Sequence, residues 1–138
     1  MNQIVFSIQT EVRWRDLDAF NHVNNASYLG YIEEARVRWF KSLSRDWANE
    51  TAAPILAAIT VNYRQPIGWP ETLRVELSCE RLGNKSVTLG HRIVSMTAPD
   101  TLYCDGHTVL VWVNGEGQSI PLPQSVRAAC GGAGPCIP

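Results

Sequence analysis

Trp14-Arg15-Asp16-Leu17-Asp18-Ala19-Phe20-Asn21-His22-Val23-Asn24-Asn25, running on into Ala26-Ser27-Tyr28-Leu29-Gly30-Tyr31, is where the periodicity of this chain changes. Before it, Ile4, Phe6, Ile8, Val12 and Trp14 alternate with Ser7, Gln9, Glu11 and Arg13, which predicts a half-buried strand over 4–14. After it, Tyr28, Leu29, Ile32, Ala35, Trp39, Phe40 and Leu43 recur at helical spacing, with Glu33, Glu34, Arg38 and Lys41 on the opposite face. Asn24 or Asn25 is a natural N-cap for that helix, which should fade near Ser44. The turn therefore gathers carboxylates, an imidazole, amide side chains and the open N–H groups of a helix start. Together these can activate water and stabilise an oxyanion.

Downstream the chain is rich in strands. Residues 55–64, 73–80, 86–96 and 102–113 read as four strands, with turns at Leu82-Gly83-Asn84-Lys85 and Ala98-Pro99-Asp100. Residues 120–129 add an irregular or one-turn helical end. A strand, one long helix and four closely linked strands predict an α+β domain, in which an antiparallel meander is covered on one face by the helix.

The 138 residues fit one domain, assigned to 1–129, followed by a flexible Gly/Pro-rich tail at 130–138. A net charge of −1 gives no field toward nucleic acid or an anionic membrane. No spanning segment or signal peptide is visible, so the default location is the cytoplasm. Cys79, Cys104, Cys130 and Cys136 match no metal-ligand spacing. Cys79 and Cys104 read as core thiols, and a Cys130–Cys136 disulfide stays open to the tail.

Asp16 reads as a turn former and Asp18 as the functional carboxylate, because Asp18 lies nearer the His22–Asn25 turn. His22 is open to a chemical role or to organising the turn, and Asn24 and Asn25 to orienting it. His91 and His107 read as strand side chains, and no Gly-X-Ser-X-Gly elbow exists. The Arg81–Ser86 turn is either a solvated tip or a phosphate contact.

Asp16-X-Asp18, His22-Val23-Asn24-Asn25-X-X-Tyr28-Leu29-X-Tyr31-X-Glu33-Glu34-Ala35-Arg36, Val61-Asn62-Tyr63-Arg64-Gln65-Pro66 and Leu82-Gly83-Asn84-Lys85-Ser86 together resemble the hotdog-fold acyl-CoA thioesterases of the 4-hydroxybenzoyl-CoA thioesterase-like group. The His-Val-Asn-Asn turn looks most like the bacterial long-chain acyl-CoA thioesterases and the plant acyl-ACP thioesterases. The resemblance implies a curved antiparallel sheet around one helix, and hydrolysis of an acyl-CoA to a free acid and CoA. It also implies a homodimer or homotetramer with active sites at the subunit interface. On it, Asp18 maps to the essential carboxylate, as general base or nucleophile, with His22, Asn24 and Asn25 completing the catalytic turn and helix amides holding the oxyanion. Arg81, Lys85 and Ser86, Lys85 foremost, map to the loop that meets the CoA phosphates, and Tyr28 is read as substrate-binding, lining the acyl side, or as packing the helix. No cofactor or metal is implied, since coenzyme A is part of the substrate. A non-catalytic acyl-CoA binding module is the rival reading. A dehydratase ranks third, because the helix carries Glu33 and Glu34 but no His.

Overall fold

A computed structural model describes residues 3–131. Strand β1 (Ile4–Glu11) leads through a single 3-10 turn at Trp14–Asp16 into helix α1 (Asn25–Leu43). Four strands follow, β2 (Ala53–Tyr63), β3 (Thr72–Leu82), β4 (Ser86–Ser95) and β5 (Leu102–Val113), and a short helix α2 (Gln124–Ala129) closes the described chain. The tail expected at 130–138 lies outside the described residues from 132 onward. No described helix is long and apolar enough to cross a membrane.

All five strands form one antiparallel sheet, in the order β1-β3-β4-β5-β2. The four-strand meander expected from the sequence is thus only partly present. β3, β4 and β5 are consecutive neighbours, but β2 pairs with β5 at the far edge. The link from β2 to β3 explains the difference. It carries Pro66 and Pro70, which cannot donate ladder hydrogen bonds, and it crosses the end of the sheet instead of forming a hairpin. In crossing, Ile67 accepts a hydrogen bond from Val23 N–H (2.8 Å), which ties the link to the start of α1.

α1 covers one face of the sheet. Tyr28, Ile32, Ala35, Trp39 and Phe40 are buried against Leu73, Val75 and Leu77 of β3, Leu89 and Ile93 of β4, and Leu110 and Trp112 of β5. Phe40 meets Trp112 edge-on at 5.4 Å and stacks on Trp47 at 5.5 Å, geometries that aromatic quadrupoles favour. Asn24 is the N-cap, its Oδ1 accepting from Ala26 N–H at 2.8 Å.

Some side chains depart from the sequence pattern. Trp14 does not join the strand's buried face. The chain leaves β1 at Glu11 and turns, so the indole stands 71% exposed. Leu29 is 40% exposed, while Arg36, one turn along from Ile32, takes the buried position and reaches Glu33 at 3.7 Å. Cys79 is not a core thiol. It is disulfide-bonded to Cys130 with Cα atoms 5.7 Å apart, because α2 folds back beside β3, so that disulfide replaces the tail pairing of Cys130. Cys104 is the buried free thiol expected.

Candidate active site

The site grows out of the turn at 18–22. Asp18 N–H donates to His22 C=O (2.8 Å), and Asn21 N–H to Asp18 C=O (3.1 Å). Asn21 adopts φ +65, a left-handed conformation that Asn tolerates better than most residues. Asp18 Oδ1 accepts from Phe20 N–H (2.8 Å) and His22 N–H (3.4 Å), so the turn holds its own carboxylate in place. Its other oxygen, Oδ2, has no donor among the described residues. One oxygen is therefore fixed and the other is available.

Asp16 has a different fate. Its Oδ2 accepts from Tyr31 Oη (2.6 Å) and from Arg13 N–H (3.0 Å), and its carbonyl accepts from Asn24 N–H (2.8 Å). It binds the turn to α1. Burial raises the Tyr31 phenol well above its ordinary pKa, and the bond to Asp16 adds to the shift, so it remains a donor.

A cleft of about 380 Å³ opens beside Asp18. One wall is the turn and helix start, with Phe20, His22, Val23, Asn25 and Tyr28. The other is the crossing link, with Tyr63, Arg64, Gln65 and Pro66. Tyr63 Oη donates to the carbonyl of Asn25 (2.9 Å), fastening the end of β2 to the first residue of α1. Its ring meets Tyr28 edge-on at 4.9 Å. Tyr28 is 2% exposed, and burial pushes its phenol up to about 12, so it stays neutral while donating to Gln65 C=O at 3.4 Å. Arg64 is bound to Asp105 by 3.0 and 3.3 Å contacts from Nη2, which orients the link from the neighbouring strand.

At the helix start, Ala26 N–H is taken by the Asn24 side chain and Ser27 N–H by the Asn24 carbonyl (both 2.8 Å). Asn25 N–H has no acceptor among the described residues, and the positive end of the helix dipole adds to it. Asp18, with one carboxylate oxygen left open, and Asn25, with its open helix amide, thus line one cleft. This is the donor arrangement that water attack on an acyl carbon needs.

Of the residues singled out from sequence, Asp18, His22, Asn25 and Tyr28 line this cleft, and Asn24 stands behind it as the cap. His22 contributes its backbone to the turn, and its ring has no hydrogen bond among the described residues. Arg81, Lys85 and Ser86 lie at the opposite end of β3, whose 11 residues span about 35 Å at ~3.3 Å per residue. Gly83 and Asn84 in that turn accept from Arg127 Nη2 of α2 at 3.1 and 3.2 Å. Tyr63, Arg64 and Gln65 had no assigned role from sequence, nor did Phe20. The signal for the first three was a strand ending at a proline, and only the crossing link turns that into a wall of the cleft. Among the described residues no group of three or more His, Cys, Asp or Glu side chains could hold a metal ion.

Comparison with known proteins agrees with this architecture. The PA2801 protein of Pseudomonas aeruginosa superposes with a TM-score of 0.88 at 41% identity, covering 92% of this chain and 98% of that one. A thioesterase from Thermus thermophilus, solved with coenzyme A and Zn, gives 0.80 at 34% identity, covering 95% and 98%. The long-chain acyl-CoA thioesterase FadM of Escherichia coli is 36% identical over 87 residues, 62% of this chain. The stretches matched in the curated relatives are partial, 66% of FadM's length and 57% of a second relative's. The curved five-stranded antiparallel sheet with one main helix is the hotdog fold of these neighbours. Residues 12–130 match the model of the thioesterase-like superfamily, and the chain belongs to that family.

Proposed function

We propose that this chain is an acyl-CoA thioesterase, releasing a free carboxylic acid and CoA thiol. The observation that carries the reading is the Asp18 carboxylate. It is held through Oδ1 by two turn amides, and Asp18 lines a cleft beside the start of α1. Family membership and the likeness to FadM support the substrate class.

In one route Asp18 takes a proton from water, whose oxygen attacks the thioester carbonyl. The tetrahedral oxyanion lies at the Asn25 amide, and collapse expels the CoA thiolate, which takes the proton from Asp18 to leave as the thiol and restore the carboxylate. In the other, Asp18 Oδ2 attacks directly, the thiolate leaves, and water cleaves the resulting mixed anhydride. Rapid-quench mass spectrometry separates the two, because only the second leaves an acyl group on Asp18. His22, Asn24 and Asn25 shape the turn and place water or the carbonyl.

The Arg81–Ser86 turn is about a strand length from Asp18 in the same chain, so a role for Lys85 in holding CoA phosphates falls to the turn of a second copy. β2 supports such a copy. It is an edge strand with Ile55 and Leu56 49% and 46% exposed, and an unpaired apolar edge favours strand addition. A homodimer or homotetramer with interfacial sites follows from this reading, as does a cytoplasmic enzyme.

The test is CoA release from short, medium, long and aryl acyl-CoAs. Turnover is expected with at least one, and Asp18→Asn should lose about a hundredfold or more in kcat, the scale of lost acid–base catalysis. Tight acyl-CoA binding without turnover would favour the binding-module reading instead.

A further inference from the structure

Phe20 is 81% exposed, the most exposed large apolar side chain among the described residues, and it lines the cleft two residues from the Asp18 carboxylate. The turn asks of this position only a backbone N–H, which donates to Asp18 Oδ1 at 2.8 Å. Any residue except proline supplies that bond, and a polar one would do so without exposing a phenyl ring. A single exposed apolar residue is ordinary on a protein surface. This one is displayed on a turn fixed by its own hydrogen bonds, its ring at the mouth of a cleft.

The cleft has two characters. Phe20 and Tyr28 on one wall and Tyr63 and Pro66 on the other give it apolar lining, with Tyr28 and Tyr63 in edge-on contact across it at 4.9 Å. His22, Asn25 and Gln65 give it a side that suits the amides of a pantetheine arm. Resting on the thioesterase reading of this cleft, we propose that Phe20 is the acyl-specificity residue. Its ring closes over the first methylenes of the acyl chain and completes an aromatic wall with Tyr63 and Tyr28. The proximity of ring and carboxylate means that the part of the chain nearest the thioester is read, and apolar acyl groups are favoured over acetyl.

The test measures dissociation constants of S-decyl-CoA and S-ethyl-CoA, uncleavable thioethers, by calorimetry, so the outcome does not depend on turnover. Each buried methylene is worth about fourfold in affinity. Phe20→Ala should therefore reduce the preference for decyl over ethyl by about tenfold, with Phe20→Leu recovering most of it. Phe20 is exposed, so these variants are not expected to unfold, and circular dichroism checks that. A decyl-to-ethyl ratio within twofold of the native protein overturns the proposal. So does an equal loss for both thioethers, which would put the ring on the pantetheine arm. A fall in oligomer size for Phe20→Ala in sedimentation would show the ring buried by a second copy, and overturns it as well. Failure of the thioesterase reading has a separate signature, the absence of CoA release from acyl-CoAs.

Discussion

Asp16 and Asp18 stand two residues apart on one turn, and the donors around them divide their roles. Asp16 accepts from a phenol and a backbone amide, which uses its carboxylate as a fastener between turn and helix. Asp18 is gripped by amides on one oxygen only. A third titratable group, His91, shows what burial does without partners. It is 1% exposed on the helix-facing side of β4, and neither ring nitrogen has a hydrogen bond among the described residues. Burial lowers its pKa to about 4, with His107 and Arg36 adding to the shift and Asp105 opposing it. The sign follows from the neutral form being the folded one. Stability is complete above the unfolded value near 6.5 and is lost as pH falls toward 4, because the unfolded chain binds the proton first. Urea unfolding should show His91 costing about 2 kcal/mol between pH 7 and pH 5, and His91→Leu should flatten that slope. An unchanged slope in the variant would assign the acid sensitivity elsewhere. Asp18, His22 and the Asn24 cap were legible in sequence because turn chemistry and caps act over a few residues. Tyr63 and Arg64 were not, since their place at Asp18 depends on a crossing that no local spacing encodes.

At the scale of elements, α2 is the clearest case of structure that tertiary contact makes. Six residues are too few for an independent helix in water. Val126 is 3% exposed in the core, Arg127 Nη2 donates to Gly83 and Asn84, and Cys130 is bonded to Cys79. The long helix was readable from its 3.6-residue period, whereas the partner of Cys79 was not, because the disulfide spans a separation of 51 residues. A cross-link closing a loop of that length stabilises by about 2–4 kcal/mol, chiefly by restricting the unfolded chain. Replacing Cys79 and Cys130 together with Ser should lower Tm by roughly 10 °C in calorimetry. Dithiothreitol should bring the native protein down toward the double variant and leave the variant unmoved. A native Tm indifferent to reductant would mean that the bond contributes nothing to stability. The same experiment tells how much stability remains once the bond is open under reducing conditions.

For the whole molecule, the edge strand β2 bears on whether the proposed thioesterase is complete in one chain. Its partner on one side is β5, and its other edge has no strand partner among the described residues, with Ile55 and Leu56 half exposed and alanines at 57 and 58. Proteins that keep such an edge from pairing place charge, proline or a bulge on it. Here a bulge falls between Leu56 and Ala58 and a proline stands at position 54, but the outward side chains between them are apolar. That balance favours a second copy at this edge. The crossing link that starts where β2 ends also forms a wall of the cleft, so the Tyr63 end of this edge lies next to the Asp18 site and Ile55 about 26 Å further along the strand at ~3.3 Å per residue. If the proposed assembly pairs through this edge, Ile55→Lys inserts a charge into it, and light scattering should show dissociation to monomers; a native protein already monomeric overturns the pairing. If a second chain's Lys85 turn supplies the CoA phosphate contact, KM for acyl-CoA should rise about tenfold or more with the dissociation, as ground-state binding is lost. Lys85→Ala should raise KM in the intact assembly but add little in the Ile55→Lys background, because both changes remove the same contact. Additive effects of the two changes would separate Lys85 from the interface.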